Sequence, residues 1–516
     1  MRVVDANNRP VRIRTSILNE NSVEITSDRD FENLKVFVEG SIEIRETVLS
    51  KFGESTANFL MMVKDVSISL SQTEGSLLSG YLPGTSLFGQ QNVNGLMAPG
   101  FPFILGYQNP DFVWEAISKG WLTNDTTLNE PFLMTHNNNL SFRSTIVPFS
   151  GFRIDLTASR TYVENTTEFF VSDRYGNFSA SGRQVSGNFS MTYFSLGSAF
   201  ERITSENNYE SEVFNNFYNY RLQIAQRLAS NRGMSAFYDP SVAGPDGFPD
   251  GYGSLSQEVL IPAFFAAYGG KRPDRVFLGN FPLIPLPNWR VIYDGIGRLP
   301  ILRNLVQSAS ISHSYRSTYN IGNFLSNFDF TKMVDGFSYI RDAVNGNFIP
   351  EFDISMISIS EQFSPLINLE VIWENDISTH TEIRKSRIVS LSLANNQLSE
   401  LTSNEWIFGV GYRFRDVQLI FRTGGTQRVL SSDLNIRGDL SIRENKTVVR
   451  RLAEGNLQPT AGQTIFSIKF SADYIISERF DVKLFFDRMV NKPIVQLSYP
   501  MATTNIGFSL RFTLIQ

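Results

Sequence analysis

NIGFSLRFTL, Asn505 to Leu514, puts Ile506, Phe508, Leu510, Phe512 and Leu514 on one side of an extended chain. Gly507, Ser509, Arg511 and Thr513 fall on the other. Side chains alternate across a strand, so one face is apolar throughout and the other polar with a single charge. A wall strand of a membrane barrel has this design, because its backbone pairs sideways while an unbroken apolar stripe meets lipid. These five residues are therefore read as a terminal assembly strand.

The same alternation recurs upstream. GFRIDLTAS sets Phe152, Ile154 and Leu156 against Arg153, Asp155 and Thr157, and VSGNFSMTY sets Val185, Phe189, Met191 and Tyr193 against Ser186, Asn188, Ser190 and Thr192. LSFRSTI, NWRVIYDG, SASISHSYRSTY, LINLEVIWE, RIVSLSLA, NEWIFGVGYRFR, TIFSIKFSADY, RFDVKLFFD and PIVQLSY follow suit. In SDLNIRGDLSIRE, Leu434, Ile436, Leu440 and Ile442 oppose Asp433, Asn435, Arg437, Asp439, Ser441 and Arg443. About 14 strands are expected, several near the roughly 9–11 residues that tilt across a bilayer.

Two stretches break the period. Val213, Phe217, Tyr220, Ile224 and Leu228 recur at helical spacing up to Gly233, and SQEVLIPAFFAAYGG, Ser256 to Gly270, predicts a second helix. The two are expected to cover each other's apolar faces and to stand in the periplasm rather than in the lumen. A short helix is expected at Asp111 to Gly120, after a Gly-, Pro- and Asn-rich stretch. The fold class read from this is all-β with a helical insertion, an antiparallel transmembrane β-barrel or a portion of a very large one. Its expected segments are 1–135 (β-rich and loop), 136–196 (barrel strands), 197–285 (helical insertion) and 286–516 (carboxyl-terminal barrel strands).

Composition fits that class and excludes others. Among 516 residues there are 43 Phe, 18 Tyr and 5 Trp, suited to strands, lipid contact and interface belts. With 46 Lys+Arg against 51 Asp+Glu the net charge is −5, which lacks the basic field a nucleic-acid partner needs. Cysteine is absent, so disulfides and thiolate metal sites are excluded. Mean hydropathy is −0.13, and no apolar run reaches the roughly 18 residues of a membrane helix. A barrel escapes that test because half its residues face water or protein. The stretch MRVVDANNRPVRIRTSIL is not a signal peptide, so Met1 is not expected to be the natural start of an exported chain.

Chemistry-bearing motifs are weak. GPDGFPDGYG, Gly244 to Gly253, offers Asp246 and Asp250 with Glu258 further on, but a calcium loop needs more oxygen ligands at alternate positions. A turn leading into the next helix is the better reading. His136, His313 and His380 are far apart, with no paired metal spacing or triad pattern, and there is no P-loop or dinucleotide fingerprint. No catalytic, metal or cofactor-binding residue is assigned, and no enzyme activity is expected. Trp289, Trp373 and Trp406 are expected near strand ends as interface anchors.

Several segments resemble the SprA/Sov family, the very large outer-membrane translocon of type IX secretion, which is also linked to gliding motility. They are APGFPFILGYQ (Ala98 to Gln108), DGYGSLSQEVLIPAFFAAYGG (Asp250 to Gly270), PLPNWRVIYDG (Pro285 to Gly295) and SHSYRSTYNIG (Ser312 to Gly322). Closer still are DLNIRGDLSIRENKTVVRRL, TAGQTIFSIKFSADYIISERF and DRMVNKPIVQLSYPMATTNIGFSLRFTL. They run in the family's order from about Leu96 onward, and residues 1–95 carry no such likeness. The resemblance implies the last strands of one giant barrel that conducts secreted proteins across the outer membrane. It also implies a PorV-like shuttle and a periplasmic plug as partners, beside outer-membrane lipid. The rivals are a self-contained barrel for small solutes and a soluble β-rich surface binding module.

Overall fold

A computed structural model describes residues 2–7, 9–19, 22–30, 33–37, 61–201, 203–204, 209–233, 239–244, 246–423, 426–453, 457–477, 480–494 and 499–512. The chain divides into two units, Met1–Met61 and Met62–Gln516. In the first, Ile13–Asn19 forms an antiparallel ladder with Ser22–Ser27, and Arg2–Val4 pairs with Lys35–Phe37.

The second unit is built on one antiparallel sheet of 14 strands. In chain order these are β1 (Val63–Leu77), β2 (Phe132–Ile146), β3 (Phe152–Ser172), β4 (Phe178–Thr192), β5 (Asn288–Tyr293), β6 (Val306–Ser326) and β7 (Phe352–Ile354). There follow β8 (Met356–Trp373), β9 (Ile377–Ser392), β10 (Gln397–Thr423), β11 (Thr426–Arg451), β12 (Leu457–Ser477), β13 (Phe480–Pro493) and β14 (Met501–Phe512). From β8 to β14 each strand pairs with the next in sequence. The two outer strands are β1 and β14, and among the described residues they do not pair with each other.

Many strands are far longer than the expected 9–11 residues: β10 has 27 and β11 has 26. Polar interruptions such as Asn404–Glu405 do not end a ladder, because inter-strand hydrogen bonds are made by the backbone whatever the side chain. The terminal strand begins at Met501 rather than Asn505. Most of the expected strand PIVQLSY, residues 495–498, lies outside the described residues; at its ends Pro493 closes β13 and Tyr499 is irregular.

β4 and β5 occupy a single column of the sheet. Both pair antiparallel with β3 on one side and β6 on the other. Met191 pairs with Arg160 and Asn288 with Thr157, so the chain leaves this column at Thr192 and re-enters it just beyond. Tyr193 N donates to Ser317 O at 3.0 Å, Ser317 N to Asn288 Oδ1 at 2.8 Å, and Leu286 N to Thr192 O at 3.1 Å, which knots the exit to the return.

Residues 193–287 are thus spliced into one strand. They carry two of the three longer helices, which are α1 (Phe112–Ser118), α2 (Glu212–Arg232) and α3 (Gln257–Tyr268). The limits of α2 follow its signals. Ser211 Oγ accepts from Phe214 N at 3.0 Å, and Gly233 N donates to Ala229 O at the other end. Val259 to Tyr268 of α3 are buried on every side, as an all-apolar helix must be. At Gly269 a Cβ would lie 2.2 Å from the Tyr193 hydroxyl, so only glycine lets α3 end against the column's exit.

The two helices pack on each other, as expected, but they do not stand clear of the sheet. Phe217, Leu260, Ile261, Phe264 and Phe265 share one core with Phe189, Met191, Tyr319, Ile321, Ile357, Ile359, Val389, Leu391 and Leu398 of the strands. Burying that many large side chains, each worth roughly 1.5–3 kcal/mol, holds the insertion flat against the sheet.

Candidate functional site

Residues paired directly across strands share a face, so the registers identify each side of the sheet. One row runs Phe508, Leu484, Ala472, Ile436, Tyr412 and Ile377 through β14, β13, β12, β11, β10 and β9. Along β9 and β10 the register is unbroken, so the same face continues to Val389, Leu391, Leu398 and Glu400. From there a second row runs Val389, Ile359, Tyr319, Met191, Arg160, Leu140 and Leu70. A single face, mainly apolar, therefore extends from β14 to β1.

That face has two halves. Toward the end of the sheet where β14 finishes, it is bare. On β10, Trp406, Phe408, Val410, Tyr412 and Phe414 alternate and are all exposed. Leu440, Ile442, Ile468, Phe470 and Leu484 continue the strip across β11 to β13. Of the five assembly-strand residues, Ile506, Phe508, Leu510 and Phe512 sit on this face, between 55 % and 76 % exposed, and Leu514 lies outside the described residues.

Trp406 is mid-strand, not at a strand end, and forms part of the strip. Trp373 does end β8, where its indole donates to Thr379 Oγ1. Trp289 is the second residue of β5 and stacks on Tyr315 at 4.4 Å between ring centroids.

Toward the opposite end the same face is covered by the spliced helices, and beneath them lies an ion-pair chain. Glu361, Arg387, Glu400 and Arg450 come from β8, β9, β10 and β11 in turn, with side chains no more than 4 % exposed. Arg450 Nη1 donates to Glu400 Oε2 at 2.8 Å, and Arg387 lies 3.4 Å from Glu361 and 3.8 Å from Glu400. The insertion closes the chain. Ser195 Oγ donates to Glu361 Oε1 at 2.8 Å, Tyr315 OH to the same oxygen at 3.0 Å, and Arg387 to the hydroxyl of Ser198 at 2.6 Å. Buried charges persist only when paired and hydrogen-bonded, and here the partners come from both the sheet and its cover. Nothing in the alternation announces this chain, because charged residues at apolar positions read from sequence as solvated.

The opposite face is polar. Glu405 is held between Arg443 at 2.7 Å and Arg384 at 3.5 Å, Arg384 also grips Glu382 at 2.6 Å, and Arg437 pairs with Asp439 at 3.0 Å. These partly exposed ladders present charge of both signs to solvent.

The remaining motifs go to structural partners. Asp250 is clasped by both terminal nitrogens of Arg341 at 2.7 Å, which holds its carboxyl below the usual range, and Asp246 accepts from Phe248 N. Glu258 is buried on α3 near Arg232, and desolvation pushes its carboxyl up to about 7 against the opposing pull of that guanidinium. His136 lies 3.2 Å from Glu74, His380 lies 3.6 Å from Glu382, and His313 Nδ1 donates to Leu366 O at 2.6 Å. Among the described residues no group of three or more acidic or histidine side chains is placed to hold a metal ion.

No protein-family model matches this sequence, and no curated protein matches it.

Proposed function

We propose that the chain forms part of the wall of a protein-conducting outer-membrane translocon, of the kind its resemblance to the SprA/Sov family implies. In this reading the bare strip faces lipid, the charged face lines an aqueous conduit for secreted proteins, and β14 is the strand the outer-membrane assembly machinery engages. The observation that carries it is the strip. Trp406 to Phe414 covers roughly 26 Å along the strand at ~3.3 Å per residue, which at the ~40° tilt of barrel strands rises about 20 Å and fits within their ~25 Å apolar band.

Three further features support it. The polar face keeps a wall wet and offers a passing polypeptide little apolar surface. Strands of 26 and 27 residues rise well past a hydrocarbon core of roughly 30 Å even when tilted. Finally, among the described residues β1 and β14 each have an edge with no neighbouring strand, and in lipid such an edge must find further strands. In a giant barrel those are other strands of the same wall. A PorV-like shuttle and a periplasmic plug are the partners this function calls for.

The test is native size and company. A tag placed after Gln516 at its own locus, blotted from detergent-solubilised outer membrane, is expected to report a band several times larger than 58.3 kDa. A barrel protein and a periplasmic protein should co-purify with it. A band near 58.3 kDa that purifies alone breaks the translocon reading and leaves the small-solute barrel in its place.

A further inference from the structure

From Gly75 to Pro110 the chain contains no Asp, Glu, Lys, Arg or His, in a protein where 19 % of residues are charged. Such a gap is not expected by chance, and it coincides with an insertion between β1 and β2. The inner side of this insertion is anchored on the sheet's apolar face. Ala98, Phe112, Val113 and Trp121 pack with Phe132, Met134 and Phe170. Gln108 Nε2 donates to Gly75 O at 3.1 Å, and Gly106, at φ +83°, lies so close to β1 that a Cβ would meet Glu74 O at 2.9 Å.

Its outer side is apolar and bare. Phe88, Leu96, Met97, Phe101, Leu105 and Tyr107 are each at least half exposed, with Leu105 at 81 %. Between insertion and strand lies a cavity of about 450 Å³ lined in part by Leu77, Leu78, Tyr81, Phe103 and Ile104.

Where this surface stands decides what it meets. On β1 the apolar face carries exposed Val66, Ile68 and Leu70, then turns polar at Gln72 and Glu74, which pair with Asn138 and His136. In the wall reading that change is where hydrocarbon gives way to headgroups, and the insertion is pinned to the backbone of Glu74 and Gly75. Its bare side chains therefore project over the bilayer surface, on the side of the wall that faces lipid. A protein partner recognised by charge at this bare surface would need charges to read, and residues 75–110 have none; the insertion's own charges, such as the Glu115–Lys119 pair, lie further along the chain.

We infer that residues 75–110 form an interfacial foot: their exposed aromatic and aliphatic side chains sink into the outer boundary of the lipid bilayer beside the wall. The occupant is lipid acyl chain, as for other amphipathic elements that lie in an interface without spanning it. Aromatic side chains suit that depth, where one end is apolar and the other wet. The inference rests on the wall reading above.

These 516 residues contain no cysteine, and any cysteine elsewhere in the full-length protein would first be replaced by serine. Single-cysteine variants Leu105→Cys and Leu96→Cys, with Leu510→Cys as the wall reference and Tyr175→Cys as the aqueous one, would each carry an environment-sensitive dye. The full-length native protein would be placed in nanodiscs containing spin-labelled lipid. Emission at Leu105→Cys and Leu96→Cys is expected to be quenched by the lipid label to an extent comparable with Leu510→Cys, while Tyr175→Cys is quenched only by iodide.

Iodide quenching alone at both foot positions, with Leu510→Cys still lipid-quenched, overturns the foot and leaves the wall. Shielding of both from either quencher means that a protein covers the surface, and it overturns the foot equally. Loss of lipid quenching at Leu510→Cys removes the wall and the foot together.

Discussion

Leu398 and Glu400 lie on the same strand and the same face as Trp406 and Phe408, yet one pair is covered by protein and the other is not. The first pair is sealed under α2 and α3, with Leu398 wholly buried and Glu400 bound to Arg450. The second pair stands bare, Trp406 at 60 % and Phe408 at 53 % exposure. Alternation decides which way a side chain points, and it says nothing about what it meets there. What separates the halves is the distribution of charge. The covered half buries a chain of ion pairs, whereas the bare half puts no charge on this face of β10 from Trp406 to Phe414 and, at the same levels of β13, only the exposed Arg488 beside Ile468. A surface left dry by lipid must exclude charge, and one covered by protein can hold it if every charge is paired.

The largest expected effect comes from unpairing the covered half. Arg387→Met leaves Glu361 and Glu400 buried beside a missing counter-charge, at about 3–5 kcal/mol. The insertion should become protease-sensitive in the intact protein. Adding Glu361→Gln should restore part of the resistance. No change from Arg387→Met alone would mean that the ion-pair chain does not hold the cover down.

Charging the bare half comes next. In the proposed wall, Leu510→Arg places a charge on the lipid face, where the cost reaches about 2–4 kcal/mol at mid-bilayer, and outer-membrane assembly, followed by heat-modifiable migration, should fail. Ser509→Arg on the polar face should assemble normally. Equal outcomes for the two would abolish the distinction between the faces.

The smallest effect is a pH response confined to the covered half. Glu258 has its carboxyl raised to about 7 by burial, so the folded state holds a proton that the unfolded chain has released. The stabilisation is complete below the ordinary carboxylate range near 4.5 and is lost as pH rises toward 7. Resistance of the insertion to proteolysis should decline over that window, and Glu258→Gln should flatten the decline while strip assembly stays unchanged.

Sequence and structure agree best where local signals are strong. α2 and α3 lie within a residue or two of their expected limits, because a capping serine, helical spacing and a glycine stop all act locally. The five apolar positions of the last strand were legible for the same kind of reason, and the four that are described share one face. Strand length was not legible, since a ladder runs on through polar residues. β1 is legible only in part: Val66, Ile68 and Leu70 alternate, but Gln72 and Glu74 hide its continuation to Leu77. The buried chain of Glu361, Arg387, Glu400 and Arg450 was invisible because it joins residues from four strands and depends on a cover contributed by distant sequence. The placement of the helices on the apolar face had no local signal either.

The column shared by β4 and β5 bears on how the sheet carries its helices. Exit and return meet at one rung of the ladder, with Leu286 N bonded to Thr192 O, so the hydrogen bonds of β3 and β6 find nearly the same backbone beside them whether or not residues 193–287 are present. The helices leave and rejoin the sheet at one point, and the registers of β3 and β6 carry through that column on either side of it. Their loops can therefore change length without re-registering either neighbour. Their loss would be another matter, since it would bare the core they share with β4, β6, β8, β9 and β10 and the charges buried beneath them.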